Sequence, residues 1–248
     1  MRNYVRAALA GVRPAAVVPS PNIWNWPEVY EIENQAQDHG GVIWRALRED
    51  CPFAGLDVVD VGCGDGFHLP EFAASARGVI GVEPHRPLLR RARQRIAGLA
   101  NVELRHGSAE RLPLADNSVD LVHARTAYFF GPGCERGMAE ADRVLRPGGA
   151  LVIVDLDATS APYGTWLRED LPGYDPNEIE EFFTAQGFSY RALETLWRFR
   201  DRESLAAVLR IEFSPAVAER AIAQTTGLTL PVGYRMRVRR KPTGLLMP

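Results

Sequence analysis

The chain has 248 residues, 46% of them hydrophobic and 24% charged, and a formal net charge of -2 from 29 basic and 31 acidic side chains. This composition excludes fibrous and wholesale disordered chains, and it supplies no positive field to draw in nucleic acid or anionic membrane. A chain of this length buries roughly three quarters of its unfolded surface, so no disulfide or metal is needed to hold a core.

The opening residues, MRNYVRAALAGVRPAAVVPSP, are rich in Pro and small residues, and Arg6 and Arg13 interrupt any signal-peptide core. Residues 1–26 are expected to form a flexible leader, and 27–248 a single domain. Within that domain, 27–55 carries two helices. PEVYEIENQAQ is opened by proline, and VIWRALRED places Val42, Ile43, Ala46 and Leu47 on one stripe.

From residue 56 the pattern changes to short apolar runs, LDVVDV, GVIGVE, NVELR, SVDLVHA and GALVIVDL, separated by the helical spacings of FHLPEFAASA, RPLLRRARQRIAG and CERGMAEADRVL. Apolar runs of this kind are what strands buried on both faces of a parallel sheet require, and the alternation predicts right-handed crossovers. Residues 56–157 are the expected ligand-binding core.

Residues 158–248 are expected to add substrate-side elements. PNEIEEFFTAQGF has a helical cap near Asp175 and a stop at Gly187, and ALETLWRFR alternates Leu193, Thr195, Trp197 and Phe199 as a strand. LAAVLRIEF and PAVAERAIAQTT then read as helices before the alternating GYRMRVRR. The expected fold is α/β, Rossmann-like and doubly wound, with a mostly parallel seven-stranded sheet, an antiparallel C-terminal strand and a helical lid. The basic run Arg235 to Lys241 is expected to guard an exposed sheet edge.

The strongest chemical signal is VVDVGCGDGFH, in which a buried strand runs into Gly62, Gly64 and Gly66. Glycines there let the backbone turn sharply and approach a ligand. Phe67 stands where the dinucleotide fingerprint has its third glycine, which disfavours a nicotinamide-dependent oxidoreductase. Glu83 ends the next strand, 21 residues after Gly62, where a carboxylate can accept both ribose hydroxyl protons.

VVDVGCGDG, GVE, GSAERLPLADNSVDLVHAR and EADRVLRPGGALVIVD follow one another across residues 56–157. Together they resemble the class I S-adenosylmethionine-dependent methyltransferases, in the broad group that includes the ubiquinone and menaquinone biosynthesis enzymes. The resemblance implies an enzyme that binds S-adenosylmethionine and releases S-adenosylhomocysteine. It implies that Asp60, Gly62 and Gly64 line the methionine half of this donor, that Glu83 holds the ribose, and that Pro84 lies against the adenine. Ser108 and Ala109 stand where the group commonly has Asp-Ala at the adenine edge, so Ser108 is a departure. Ala124 and Arg125 fall at the strand end that faces the methyl group, and LRPGG resembles the turn feeding the fifth strand.

Methyl transfer from a sulfonium needs in-line positioning above all, and a general base only for a poorly ionised acceptor. By position the candidate bases are His123, His68 and Tyr128, each of which also has a plain packing role open to it. Aromatics gather at the expected mouth of the sheet: Trp24, Trp26, Tyr30, Tyr128, Phe129, Tyr163 and Trp166. They can wall a flat acceptor site or simply pack a lid. The expected acceptor is a small, apolar or aromatic metabolite methylated on O, N or C. A non-catalytic donor-binding regulator is the other alternative. No residue spacing suggests a metal, no apolar run is long enough for a membrane span, and the odd, scattered cysteines Cys51, Cys63 and Cys134 suit a cytoplasmic protein.

Overall fold

The computed structural model describes residues 20–244. Three helices open it: α1 (Pro21–Asn25), α2 (Pro27–Ala36) and α3 (Val42–Asp50). The alternating core follows as β1 (Asp57–Val61), α4 (Leu69–Ala73), β2 (Gly78–Glu83), α5 (Arg86–Arg95), β3 (Val102–His106), β4 (Val119–Arg125), α6 (Glu135–Val144) and β5 (Leu145–Leu156). The last third comprises α7 (Tyr163–Asp170), α8 (Pro176–Ala185), β6 (Ser189–Arg198), α9 (Arg202–Glu212), α10 (Pro215–Gln224) and β7 (Thr229–Arg240).

The strands form one seven-stranded sheet in the order β3-β2-β1-β4-β5-β7-β6. All neighbours from β3 to β5 pair in parallel, and β7 runs antiparallel to both β5 and β6. The strand order reverses direction at β1, so the crevice beyond the carboxyl ends of β1 and β4 is where an open sheet of this kind takes ligands.

Alternation along the strands divides the core into two layers. Val58, Leu121, Val152, Val154 and Met236 pack with α3, α4, α7, α9 and α10. Val59, Val61, Val122, Ile153 and Ala124 pack with α6 and α8. On α3, Ile43, Ala46 and Leu47 are buried as their spacing predicts. Leu193, Thr195 and Trp197 are likewise the buried side of β6.

Three expectations need correction. Order does not wait for residue 27: α1 is helical from Pro21, and its Asn22 and Ile23 are buried by packing against the core. The rest of the expected leader, residues 1–19, lies outside the described residues. The basic strand is not an edge, because β7 sits between β5 and β6. Its arginines are taken up internally: Arg237 lies over the Phe183 ring, and Arg239 makes a two-pronged bond to Asp142. Finally, the LRPGG run belongs to β5 itself, which begins at Leu145 with a register shift against β4 between Val119 and Leu121.

Candidate active site

The site begins at the bend after β1. Gly62 and Cys63 both donate backbone N–H groups to the carbonyl of Val82, which ties the bend to the end of β2. Gly62 has a φ of +73°, and a Cβ built on it would lie 2.6 Å from the Cβ of Ala127. Only glycine lets the loop after β4 cross this closely. A Cβ on Gly64 would lie 2.9 Å from Ile23 Cδ1, so α1 rests directly on the bend.

Glu83 comes to the same point. Its Oε2 accepts from the Gly64 N–H at 3.1 Å and its Oε1 from the His85 N–H at 2.8 Å. The carboxyl is only 4% exposed, and no ion pair to it is present among the described residues. Burial pushes its pKa up to about 7, helped by the nearby Asp60 and opposed by the two backbone donors. A buried carboxyl with backbone donors but no cation is suited to take further hydrogen-bond donors from a ligand.

The residues expected at the adenine edge lie beside it. Gly107 N–H reaches the Glu83 carbonyl, Ser108 bridges to Arg111, and Ala109 is buried in the layer under α6. His106 Nε2 lies 3.0 Å from the Pro84 carbonyl. Trp24 stacks on His85 with ring centroids 4.1 Å apart and an interplanar angle of 11°.

Around β4 the expected roles divide. Asp60 and His123 occupy paired positions of β1 and β4, and Asp60 Oδ1 lies 2.7 Å from His123 Nδ1, both side chains buried. The His123 ring packs edge-on to Phe72 and is stacked with Trp44, inside the layer under α3 and α4. His68 sits on Trp44 and Phe67, and burial, reinforced by Arg125, holds its pKa well below the usual imidazole value. A neutral His68 can accept a proton only weakly. Tyr128 donates to Glu110 and packs on Gly137. Thr126 and Tyr128 hold positive φ values of 45° and 60°, the backbone strain that often marks a functional turn. Ala124 turns into the opposite layer, because residues alternate sides along β4. Arg125 points to the crevice side, donating to Gln37 Oε1 at 2.9 Å with its guanidinium over the Tyr234 ring, while its Nε has no partner.

The seven aromatics do not form one wall. Tyr30 and Tyr163 converge near Glu212, whose charge raises both phenols further after burial has done so. Trp24 faces His85. Trp26 is 49% exposed, Phe129 is buried in the layer under α6, and Trp166 packs edge-on to Phe213 with its Nε1–H donated to Gln224. They come from separate elements, Trp24 from α1, Tyr30 from α2, Phe129 from the loop after β4, and Tyr163 and Trp166 from α7, so they face different surroundings.

Sequence reasoning missed the clamp that holds α2 over the crevice. Arg95 on α5 bonds the carboxylate and carbonyl of Asp65 and also reaches Glu31, and Arg91 pairs with Glu28. The signal was the run of arginines in RPLLRRARQR, which reads equally well as a solvated face.

Comparison with known proteins bears on this geometry. A family model described as a methyltransferase domain matches residues 59–153. The demethylmenaquinone methyltransferase of Staphylococcus aureus is 32% identical over 191 residues, covering 71% of this chain and 79% of that protein. The chain belongs to the class I S-adenosylmethionine-dependent methyltransferases. A ubiquinone/menaquinone biosynthesis C-methyltransferase of Rubrivivax gelatinosus is 28% identical over 188 residues, covering 73% of this methyltransferase and 72% of the relative. In fold, the methyltransferase is similar to the YcgJ protein of Bacillus subtilis, with a TM-score of 0.61 at 19% identity over 83% of this chain and all of that one. The protein is therefore an enzyme, and its cofactor is S-adenosylmethionine. No helix among the described residues of the methyltransferase is long and apolar enough to cross a membrane.

Proposed function

We propose that this methyltransferase transfers the methyl group to O, N or C of a small cytoplasmic metabolite with an apolar or aromatic body. The observation that carries the donor half of this reading is the meeting of Glu83 with the Gly64 N–H. In that reading the Glu83 carboxylate accepts the ribose hydroxyls, and the backbone from Gly62 to Gly64 lines the methionine portion. Pro84, Ser108 and Ala109 border the adenine, with Trp24 and His85 closing that end. Arg125, with its free Nε, is placed to hold an anionic group such as the methionine carboxylate.

The bound donor supplies an already activated methyl group on sulfonium. The chain's own contribution is to exclude water and hold the acceptor in line, which is worth roughly 7–11 kcal/mol of barrier for well-oriented reactants. Asp60 and His123 act in this reading by fixing the ends of β1 and β4 relative to each other, since both are buried and His123 packs against Trp44 and Phe72.

Calorimetric titration with S-adenosylmethionine tests the donor site. Saturable binding is expected, and Glu83→Ala is expected to weaken it at least about tenfold through loss of charge-assisted hydrogen bonds. Equal affinity in the variant overturns the assignment of Glu83.

A further inference from the structure

The glycine bend after β1 is held from two sides. Its first half is tied to β2, through the Gly62 and Cys63 N–H groups on the Val82 carbonyl and the Gly64 N–H on Glu83. Its second half meets α5. A Cβ built on Gly66 would lie 3.1 Å from the Cβ of Ala92, so that helix packs onto the bend, and Arg95 follows one turn later on the same face. Arg95 Nε donates to the Asp65 carbonyl at 3.2 Å, and its Nη2 to Asp65 Oδ2 at 2.9 Å. The same guanidinium lies 5.3 Å over the Phe67 ring, so its fork is held in one plane against the bend.

Such a bend needs an anchor, because three glycines between residues 62 and 66 leave its backbone free to take other shapes. Asp65 is its one charged residue, and it is 2% exposed. Burial pushes the Asp65 carboxyl above the usual range, with the Arg95 charge opposing. A carboxylate in that place is tolerated only beside its cation. Without Arg95 it must take up a proton or turn toward water, and the Asp65 carbonyl loses its side-chain donor at the same time. Arg95 also reaches Glu31 on α2, but the Glu31 side chain is 25% exposed against 3% for Asp65. The exposed pair is screened by water and salt and the sealed one is not, so the contact with Asp65 is the stronger of the two. Arg91, one turn earlier on α5, pairs with Glu28 of α2 and makes no hydrogen bond to the bend among the described residues.

We propose that Arg95 is a positioning residue for methyl-donor binding: it holds Asp65, and through Asp65 the second half of the glycine bend, in the shape that receives S-adenosylmethionine. Arg95 acts through Asp65 and not by touching the donor. A bend already in that shape does not have to be ordered when the donor arrives, which raises affinity. Lysine at this position keeps the charge that Asp65 needs. Its single ammonium on a flexible stem does not reproduce the fork that takes the carboxylate and the carbonyl together.

The inference rests on the donor placement proposed above, and the test separates the two. S-adenosylhomocysteine is titrated calorimetrically into the wild-type protein and single variants, each beside a thermal melt. Arg95→Ala is expected to weaken binding about tenfold, the equivalent of one lost charge-assisted hydrogen bond. Arg95→Lys is expected to weaken it about threefold, so that the conservative variant recovers part of the loss. Arg91→Ala and Glu31→Ala loosen α2 and leave the Asp65 contact in place. Both are expected to keep the wild-type affinity within about twofold, whatever they do to the melting temperature. If Arg95→Ala does not fold, Arg95→Lys carries the same decision. Wild-type affinity in the Arg95 variants overturns the proposal. An equal loss in Glu31→Ala does so too, since it makes α2 and not the bend the element that Arg95 serves. Glu83→Ala in the same series tells the two readings apart. Full affinity there removes the donor placement and this inference with it, whereas a loss there with none at Arg95 removes the inference alone.

Discussion

The two halves of the sheet solve different problems. From β1 to β4 the strands are parallel and apolar, and the chemistry is concentrated in backbone: the Gly62–Gly64 bend, its N–H groups and a single carboxylate, Glu83. From β5 onward the sheet turns antiparallel, and its polar groups are side chains brought from separate helices: Glu33 from α2, Tyr163 from α7 and Glu212 from α9. The bend after β1 is a local turn whose geometry a few glycines dictate. Side chains from separate helices meet only where packing brings them together.

This contrast can be broken at several points, and the largest effect is expected far from the donor. Trp197 on β6 is fully buried and donates its Nε1–H to the Tyr234 hydroxyl. Trp197→Ala is expected to cost about 3–5 kcal/mol of stability in urea denaturation. The folded fraction is expected to keep its S-adenosylmethionine affinity within about twofold, because the donor bend shares no partner with Trp197. A donor affinity that collapses along with stability contradicts the separation of the two halves.

Next comes the bend itself. Gly62→Val places a branched side chain at a φ of +73° and against Ala127. A loss of about 2–4 kcal/mol is expected from the left-handed backbone and the overpacking together. Here donor binding is expected to fail even in the fraction that stays folded, read by calorimetry beside a circular dichroism melt. Intact binding with the loop after β4 displaced argues against the bend as the donor cradle.

The smallest effect sharpens the donor half by pH. Glu83 titrates near pH 7 because burial opposes its charge, with Asp60 adding to the effect. Hydroxyl donors of a ligand prefer the ionised form, whose fraction rises from about a tenth at pH 6 to about nine tenths at pH 8. The dissociation constant for S-adenosylmethionine is accordingly expected to fall about tenfold across that interval, with proton release on binding near pH 7. The stability effect has the opposite sign. With its folded pKa raised above the ordinary value of about 4.3, Glu83 favours the unliganded fold most below that value. That contribution is lost as pH rises through 7. A dissociation constant flat from pH 6 to pH 8 separates Glu83 from donor binding.

Much of the donor half is legible in the chain because it is short-range. A strand, three glycines and a carboxylate at the next strand end lie within 26 residues of one another, from Val58 to Glu83. The parallel sheet follows from wholly apolar strands alternating with amphipathic helices. The acceptor half resists such reading. The aromatics Trp24, Trp26 and Tyr30 sit together in the chain, yet Trp24 stacks on His85, Trp26 faces solvent and Tyr30 turns toward Thr126. The basic run of β7 looks like a guarded edge until the order of strands places it between β5 and β6.

Sequence alone thus determined the layer architecture and the glycine bend with the carboxylate beside it, since each depends on periodicity or on residues a few positions apart. Only the tertiary structure decided which polar side chains from distant helices meet. Glu33 and Glu212 are separated by most of the chain and carry no local pattern. Their meeting depends on how α2 and α9 dock over the same sheet end, and that docking is set by the summed packing of many residues.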